Sequence, residues 1–305
     1  MAANEVNNLY FRITNQFLEA LKRGAPPWKK PWSDIDQYCD RPVNAVTERK
    51  YSGINVAILW SSAVSHGFTR DRWLTFKQVG KAGGRVKRGQ KGTAAVLYRD
   101  IRVAPKESDG TQSVDEDDVP KTNIIKLIRG FTLFNVEQCT GLPDKVIKGP
   151  PVHDQKPAWK LHQEAEDLII SNKVSVHHTS DSASYTPKGD FICMPPKCAF
   201  ENKSDYYSTL MHELTHWTGH STRLSRPGIT NGSRIGTTEY AFEEMIAEIG
   251  SAFLCAEFRI PRDPSHDSYI LSWIEVLEND PKAIFNSSAQ AWKARNFLLG
   301  EGCAH

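Results

Sequence analysis

The chain has 305 residues, 39% of them hydrophobic and 24% charged, with a formal net charge of +2 at pH 7. This length exceeds the size at which one hydrophobic core usually stops growing, so two domains are expected. The composition is typical of a globular protein, and no apolar run is long enough to span a bilayer. Neither a membrane protein nor a membrane partner is therefore expected, and the cytoplasm is the predicted location.

The first half is predicted to contain helices and one pair of strands. An amphipathic helix is indicated by apolar residues at every fourth position, namely Leu9, Ile13, Phe17 and Leu21. The proline-rich stretch 25–32 follows and should be extended, because proline lacks the N–H that a helix needs. Two further helices are predicted around residues 56–60 and 73–79. Residues 94–103 and 126–134 are predicted to pair as strands.

An acidic segment separates these two predicted strands. Residues 105–121 are polar and lack apolar periodicity, which indicates a mobile loop. The sequence is compatible with two interpretations of its acidic part, residues 107–118. The segment is either a solubilising insertion or a mimic of DNA that competes for a basic groove elsewhere in the chain.

The second half begins after a predicted linker, residues 142–157, which contains four prolines. The elements expected beyond it are helices near 158–171, 204–219, 239–258, 268–277 and 282–299, and strands at 174–178 and 190–194. Ser204 or Asp205 is expected to cap the second of these helices. The order of the elements predicts an α+β fold with domains at residues 1–141 and 158–305.

A metal-binding motif lies on that second helix. His212-Glu213-Leu214-Thr215-His216 matches the pattern HExxH. Positions i and i+4 lie one turn apart on the same helix face, so both imidazoles can reach one ion. Glu213 stands beside the first ligand and can act as general base toward a water molecule that the ion polarises. The sequence therefore predicts a divalent metal site, with zinc expected and manganese as the alternative.

A catalytic site of this kind needs a third protein ligand and an open position. Glu244 and Glu248 lie four residues apart in a largely apolar predicted helix, where unpaired carboxylates are costly. Glu244 is interpreted as the third ligand, with Glu243 as the alternative. Glu248 is interpreted as a residue that orients a ligand histidine. His220 is disfavoured, because a straight helix cannot place three successive turns around one ion.

The six cysteines are too few and too scattered for a disulfide framework. Cys193 and Cys198 have the spacing of a metal-binding pair, but no second pair accompanies them. Reduced thiols are therefore the favoured interpretation of both residues.

Two segments, MHELTHWTGH and YAFEEMIAEIGSAF, resemble the gluzincin-like metallopeptidase domain that forms the C-terminal half of ArdC-type antirestriction proteins. The resemblance implies a strand beside the active-site helix that pairs with an extended peptide substrate. Tyr185 and residues 190–195 are placed to supply that strand. It also implies a side chain that stabilises the oxyanion, for which Tyr240 and Arg223 are candidates.

The first half resembles the N-terminal domain of the same family, which is also found at the start of TraC-type plasmid primases. The motifs that carry the resemblance occur in the family's order and are PPWKKPW, YSGINVAILW, RWLTFKQV, GGRVKRGQKG and FTLFNVEQ. The resemblance implies a basic domain that binds single-stranded DNA. It further implies that the protein protects incoming plasmid DNA from host restriction enzymes during conjugation.

The residues of the first half support a nucleic-acid surface independently. Residues 1–150 carry 24 Lys and Arg against 16 Asp and Glu, whereas residues 151–305 carry 14 against 20. Proteins that bind single strands combine such basic surfaces with aromatic faces on which bases stack. Trp60 and Phe76 are interpreted as core residues. The candidate DNA-binding residues are Lys29, Lys30, Trp32, Tyr51, Arg72, Trp73, Lys77, Arg85, Lys87, Arg88 and Lys91.

Two functions from different classes are compatible with these features. One is a metallopeptidase that acts on a protein near single-stranded DNA, with the DNA-binding domain raising its local concentration. The other is a single-stranded-DNA-binding protein whose metal site is structural or catalytically silent. The presence of Glu213 favours the first, because a structural site has no need of a base. The sequence specifies neither the protein substrate, nor an oligomeric state, nor the restriction system that is countered.

Overall fold

The computed structural model describes residues 3–24, 26, 28, 41–103, 123–149, 158–261 and 269–302. Its first helix, α1, covers Ala3–Lys22. The helix buries the four apolar residues whose spacing predicts it, Leu9, Ile13, Phe17 and Leu21. The predicted acidic loop at 105–121 lies outside the described residues, so both interpretations of it stay predictions.

The first half continues with a mixed sheet and short helices. Its elements are β1 (Val43–Asn44), α2 (Ile54–His66), β2 (Arg72–Thr75), α3 (Phe76–Lys81), β3 (Arg85–Val86), β4 (Thr93–Val103), β5 (Asn123–Asn135), β6 (Cys139–Thr140) and α4 (Asp144–Lys148). The large sheet has the order β1-β2-β5-β4, with β1 parallel to β2 and the other pairs antiparallel. The predicted pairing of residues 94–103 with 126–134 is confirmed. β3 and β6 form a separate ribbon.

The helix predicted around residues 73–79 is wrong in its first part. Trp73 and Leu74 pair with β5 as strand residues, and the helix begins only at Phe76. Thr75 sets this boundary, because its hydroxyl accepts the backbone N–H of Gln78. The Gln78 side chain in turn accepts the backbone N–H of Thr75. This capping box separates a buried strand from a short surface helix.

The second half is mainly helical. Its elements are α5 (Ala158–Ser171), β7 (Ser175–His177), β8 (Ser184–Thr186), β9 (Phe191–Cys193), α6 (Lys203–Trp217), α7 (Pro227–Thr230), α8 (Thr238–Glu257), α9 (Ile270–Asn279) and α10 (Ala283–Leu298). The strands form a small sheet in the order β7-β9-β8. Asn202 caps α6 by accepting the Asp205 N–H at 2.9 Å, so the capping role predicted for Ser204 or Asp205 is wrong. None of the described helices is long and apolar enough to cross a membrane.

The two halves of the chain share one hydrophobic cluster. α1, α2 and β4 contribute to it from the first half, and α8, α9 and α10 contribute from the second. Trp28 packs edge-on against Trp273, with 5.3 Å between ring centroids, and Trp60 lies 6.2 Å from Phe253. The residues before the predicted linker therefore pack directly against the residues after it. The domain limits at residues 141 and 158 stay a prediction.

Candidate metal centre and nucleic-acid surface

Helices α6 and α8 bring three side chains of metal-ligand type together. The Nε2 atoms of His212 and His216, one turn apart on α6, are separated by 3.2 Å. Glu244 on α8 places Oε2 3.4 Å from His212 Nε2 and Oε1 3.5 Å from His216 Nε2. All three side chains are buried, and one ligand atom from each lies within 4.8 Å of the others. No second group of this kind occurs among the described residues.

The donor set fits a divalent ion. Two imidazole nitrogens and one carboxylate oxygen are the protein ligands of many catalytic zinc sites, in which a fourth position stays open. The same set suits manganese, because nitrogen and oxygen donors are acceptable to both ions. The cluster of His212, His216 and Glu244 is hereafter called the metal centre.

Two of the three other buried carboxylates near the metal centre stand behind its histidine rings. Glu248 Oε1 lies 3.1 Å from His212 Nδ1, and Glu243 Oε1 lies 3.2 Å from His216 Nδ1. A carboxylate at Nδ1 keeps that nitrogen protonated and leaves Nε2 free to bind an ion. Glu248 thus occupies the orienting position predicted for it. Glu243 contacts Nδ1 of His216, whereas Glu244 contacts Nε2 of the same ring. Glu243 therefore lies on the far side of the ring from the metal centre, which corrects the alternative that made it the third ligand.

Arg226 anchors one of these carboxylates. Its guanidinium is buried and donates to Glu243 Oε1 at 2.7 Å and to Oε2 at 3.0 Å. It also donates to the Thr215 carbonyl and the Thr218 hydroxyl, both at the C-terminal end of α6. The pair neutralises a charge that would otherwise be costly to bury. No local pattern points to Arg226, because its partners lie 8 to 17 residues away in the chain.

The carboxylates dominate the electrostatics of the metal centre. Burial lowers the pKa of His212, but Glu244 and Glu248 outweigh it and raise this pKa to about 10. Burial also lowers the pKa of His216, but Glu243 and Glu244 outweigh it and raise this pKa to about 9. Burial acts to raise the pKa of Glu244, yet the two histidines hold it well below its usual range. Without metal, the carboxylates therefore favour protonation of the imidazoles, and Glu244 stays ionised.

Glu213 and Tyr240 lie beside the metal centre. Glu213 is buried on α6, and its charge contributes to the raised pKa of the adjacent His212. Tyr240 precedes Glu244 by one turn of α8, and its hydroxyl lies 3.2 Å from that of Tyr269. Burial, the hydrogen bond with Tyr269 and the charge of Glu244 raise the pKa of Tyr240 above its usual value. Tyr240 is therefore held as a neutral hydroxyl that can donate a hydrogen bond. No pattern in the sequence points to Tyr269.

Arg223, the other candidate for oxyanion stabilisation, is engaged by the small sheet. It donates to Asp190 Oδ2 at 2.9 Å and to the Tyr185 hydroxyl at 3.2 Å. Its guanidinium carbon lies 3.6 Å from the centroid of the Trp217 ring. These contacts give Arg223 a structural role in joining α6 to β8 and β9, which corrects the catalytic assignment. They also hold the strand that contains Tyr185 beside the helix of the metal centre.

The disfavoured ligand candidates lie outside the metal centre. His220 Nδ1 is 2.9 Å from the Thr222 hydroxyl, beyond the end of α6. Cys193 and Cys198 are free thiols, the first on β9 and the second exposed.

Five of the six described basic candidates for DNA binding lie on α3, on β3 and in the loop after β3. All are exposed: Lys77, Arg85, Lys87, Arg88 and Lys91. Residues 87–90 form a turn that Gly89 permits with a φ of 81°. Gln138 fixes this turn by donating to Gln90 Oε1 and to the Lys91 carbonyl. Lys29, Lys30 and Trp32 lie outside the described residues, so their assignment stays a prediction.

Three of the aromatic and basic assignments need correction. Trp73 has no exposed surface, because its indole is covered in the core beneath the sheet, so it cannot stack on a base. Arg72 is occupied by an ion pair with Glu48 and by a hydrogen bond to the Val146 carbonyl. Phe76, interpreted as a core residue, is 67% exposed.

The other two aromatic residues differ in burial. Trp60 is buried, as predicted. Tyr51 is half-buried, and its hydroxyl accepts a hydrogen bond from Asn44 at 3.3 Å. It therefore offers less surface to a base than its place in the motif suggested.

Comparison with known proteins agrees with this geometry. Residues 7–134 match the family described as the N-terminal domain of anti-restriction factor ArdC, and residues 163–290 match a zincin-like metallopeptidase family. The crystal structure of antirestriction protein ArdC from plasmid R388 in its metal-free form is 31% identical, with a TM-score of 0.74. That match covers 95% of this chain and 96% of the other. The Mn(II)-bound form is 32% identical, with a TM-score of 0.71, and covers 95% and 97%.

The DNA primase TraC of Escherichia coli is also similar, with 34% identity over 94% of this chain. The present chain spans only 27% of the length of that primase. The two domain matches and the near-complete alignment with ArdC show that this chain belongs to the ArdC family of antirestriction proteins, with a zincin-like domain that carries a divalent metal site.

Proposed function

We propose that this protein binds single-stranded DNA and hydrolyses a peptide bond of a protein located near that DNA, as part of protecting incoming plasmid DNA from restriction. The observation that carries the proposal is the convergence of His212, His216 and Glu244, with Glu213 buried beside them. A base next to an ion-binding cluster is the arrangement that metal-assisted hydrolysis requires. Zinc is the ion we propose first. Manganese is the alternative, supported by the Mn(II)-bound ArdC structure.

The metal, when bound, supplies a Lewis acid that polarises the scissile carbonyl and lowers the pKa of water. Glu213 accepts the proton of the attacking water and later delivers it to the leaving amine. The Tyr240 hydroxyl, kept neutral by its raised pKa, donates a hydrogen bond to the carbonyl oxygen as negative charge develops there. Glu243 and Glu248 hold the imidazoles in the tautomer that presents Nε2.

The small sheet offers a place for the substrate. β8 pairs with β9 on one side only among the described strands, and the Arg223 network holds it beside α6. An extended peptide can add to such an edge through main-chain hydrogen bonds. We therefore propose that the substrate adds as a further strand along the free edge of β8, the strand that contains Tyr185.

The DNA-binding part rests on the exposed cations of α3 and the loop after β3. They lie in the basic half of the chain, and phosphate contacts from such residues supply most of the affinity of sequence-tolerant binders. Binding to DNA would raise the local concentration of the metal centre near proteins on the same strand.

The test compares the full chain with its Glu213→Gln variant on a peptide library made from a bacterial lysate, with zinc or manganese and with or without single-stranded DNA. We expect new peptide termini with the parent protein and none with the variant, because only the base is lost. Metal content measured by mass spectrometry should be equal in both. Absence of cleavage by the parent protein under every condition would overturn the peptidase proposal and favour a DNA-binding protein whose metal site is silent.

A further inference from the structure

We infer that Phe76 is the stacking platform for an unpaired DNA base, and that the cations around it bind the phosphates on either side of that base. The inference rests on the proposed function, since it assigns residues to the DNA-binding part. It also replaces Trp73 as the aromatic residue of the RWLTFKQV motif that meets DNA.

The position of Phe76 is fixed although its ring is exposed. Phe76 is the first residue of α3, where the Thr75–Gln78 capping box sets the direction of the helix. Its ring lies 6.2 Å from the ring of Phe134, which gives it an aromatic neighbour. Gly92 makes room for that neighbour, because a Cβ at Gly92 would lie 3.0 Å from Phe134 Cζ. A rigid aromatic ring on a fixed helix start has few torsions to restrict, so it loses little conformational entropy when a base stacks on it.

The chain segment that begins at Phe76 is basic. Residues 76–92 contain no acidic side chain. All six cations of this segment are exposed, and they are Lys77, Lys81, Arg85, Lys87, Arg88 and Lys91. Helix α3 packs against β3, so the helix and the loop that follows β3 are neighbours in the fold. Gln138 and the Glu137 carbonyl, which accepts from Lys87 Nζ at 2.8 Å, hold the loop in place.

An exposed phenyl ring beside cations suits single strands better than duplexes. In a duplex the faces of the bases are covered by their neighbours, whereas an unpaired base can place its face on an aromatic side chain. Phosphates of either form satisfy the cations. The surface therefore predicts a preference for single strands that depends on Phe76 and an overall affinity that depends on the cations.

The experiment measures binding of the full chain to fluorescein-labelled oligothymidylate and to a duplex of equal length, by fluorescence anisotropy over a salt series. Phe76→Leu keeps an apolar side chain and removes the flat ring. We expect it to weaken single-strand binding roughly 5- to 100-fold, with the salt dependence and the duplex affinity unchanged. Phe11→Leu, at a ring that is 55% exposed on α1, is the matched control and should have no effect.

A second variant separates charge from stacking. Lys87→Gln combined with Arg88→Gln and Lys91→Gln should weaken both DNA forms and flatten the salt slope on single strands by about 2. Unchanged single-strand binding by Phe76→Leu would overturn the platform while leaving the proposed function intact. Equal losses on single strands and duplex, or an equal loss with Phe11→Leu, would also overturn it. Absence of binding by the parent chain would remove the DNA-binding part of the proposed function, and this inference with it.

Discussion

Protons and a divalent cation compete for the same two nitrogen atoms at the metal centre. In the metal-free protein the pKa of His212 lies at about 10 and that of His216 at about 9, because carboxylates surround both rings. Both values lie above the ordinary 6.5, so the protonated rings contribute stability that is complete below about pH 6.5. This contribution is lost as the pH rises through about 9 to 10. Metal binding shows the opposite trend, since the ion needs unprotonated nitrogens.

We therefore predict that Mn²⁺ binding at pH 7 releases protons and that its apparent affinity rises with pH. The rise should be about tenfold per pH unit for each proton displaced, and it should level off above about pH 9 to 10. Isothermal titration calorimetry in two buffers of different ionisation enthalpy counts the protons. Glu239→Gln, at an exposed carboxylate on α8, the helix that carries Glu244, is the control and should leave the count unchanged. An affinity that does not change between pH 6 and pH 9 would contradict the assignment.

The spacing of His212 and His216 made these ligands predictable from the sequence, because the α-helix itself fixes the geometry of residues four apart. Glu244 and Glu248 could be inferred from the cost of carboxylates inside an apolar helix. Arg226 and Tyr269 could not be predicted, because they reach the site through loops and neighbouring helices whose paths no local pattern encodes. The same limit affected Arg223, whose partner Asp190 lies 33 residues away.

At the scale of elements, the metal centre depends on the close approach of α6 and α8. Gly250 on α8 lies against Thr215 on α6, and a Cβ at Gly250 would lie 2.5 Å from Thr215 Cγ2. Thr215 is fully buried and its hydroxyl donates to the Met211 carbonyl, so it has little freedom to move. The glycine therefore sets the distance between the helix of the histidines and the helix of Glu244.

We predict that Gly250→Ala destabilises the fold by about 1–3 kcal/mol and weakens metal binding, because α8 must shift away from α6. Thermal unfolding and a chelator competition assay measure the two effects. Gly80→Ala is the matched control, since it places a methyl group in a helix where no atom lies within 4 Å. Its effect should be neutral or slightly stabilising. Unchanged metal affinity in Gly250→Ala would show that the helix spacing does not control the site.

The elements themselves were largely predictable where periodicity was strong, as in α1 and in the β4–β5 pair. The error at residues 73–79 arose because a short strand and a short helix follow one another without a turn. The apolar residues Trp73 and Leu74 fit either periodicity, and only the pairing with β5 decides between them. The capping residue Thr75 was the local signal that could have placed the boundary.

At the scale of the whole molecule, one hydrophobic cluster joins α1 and α2 to α8. Since α8 also carries Glu244 and Glu248, metal binding and the packing of the first half involve the same helix. We predict that the full chain unfolds in one thermal transition, and that Mn²⁺ raises its midpoint as a whole. Hydrogen exchange should show added protection in α1 and α2 as well as in α6. Two calorimetric transitions, of which only one responds to Mn²⁺, would falsify this prediction.

The shared core also bears on how such a chain can be inherited. A recombination event between its halves would leave the apolar faces of α1 and α2, and those of α8 to α10, without their partners. Each fragment would then expose a surface that favours aggregation rather than folding. Crossovers that preserve the fold should consequently fall outside the span from Leu9 to Ala291, so that the basic half and the metal centre are inherited together.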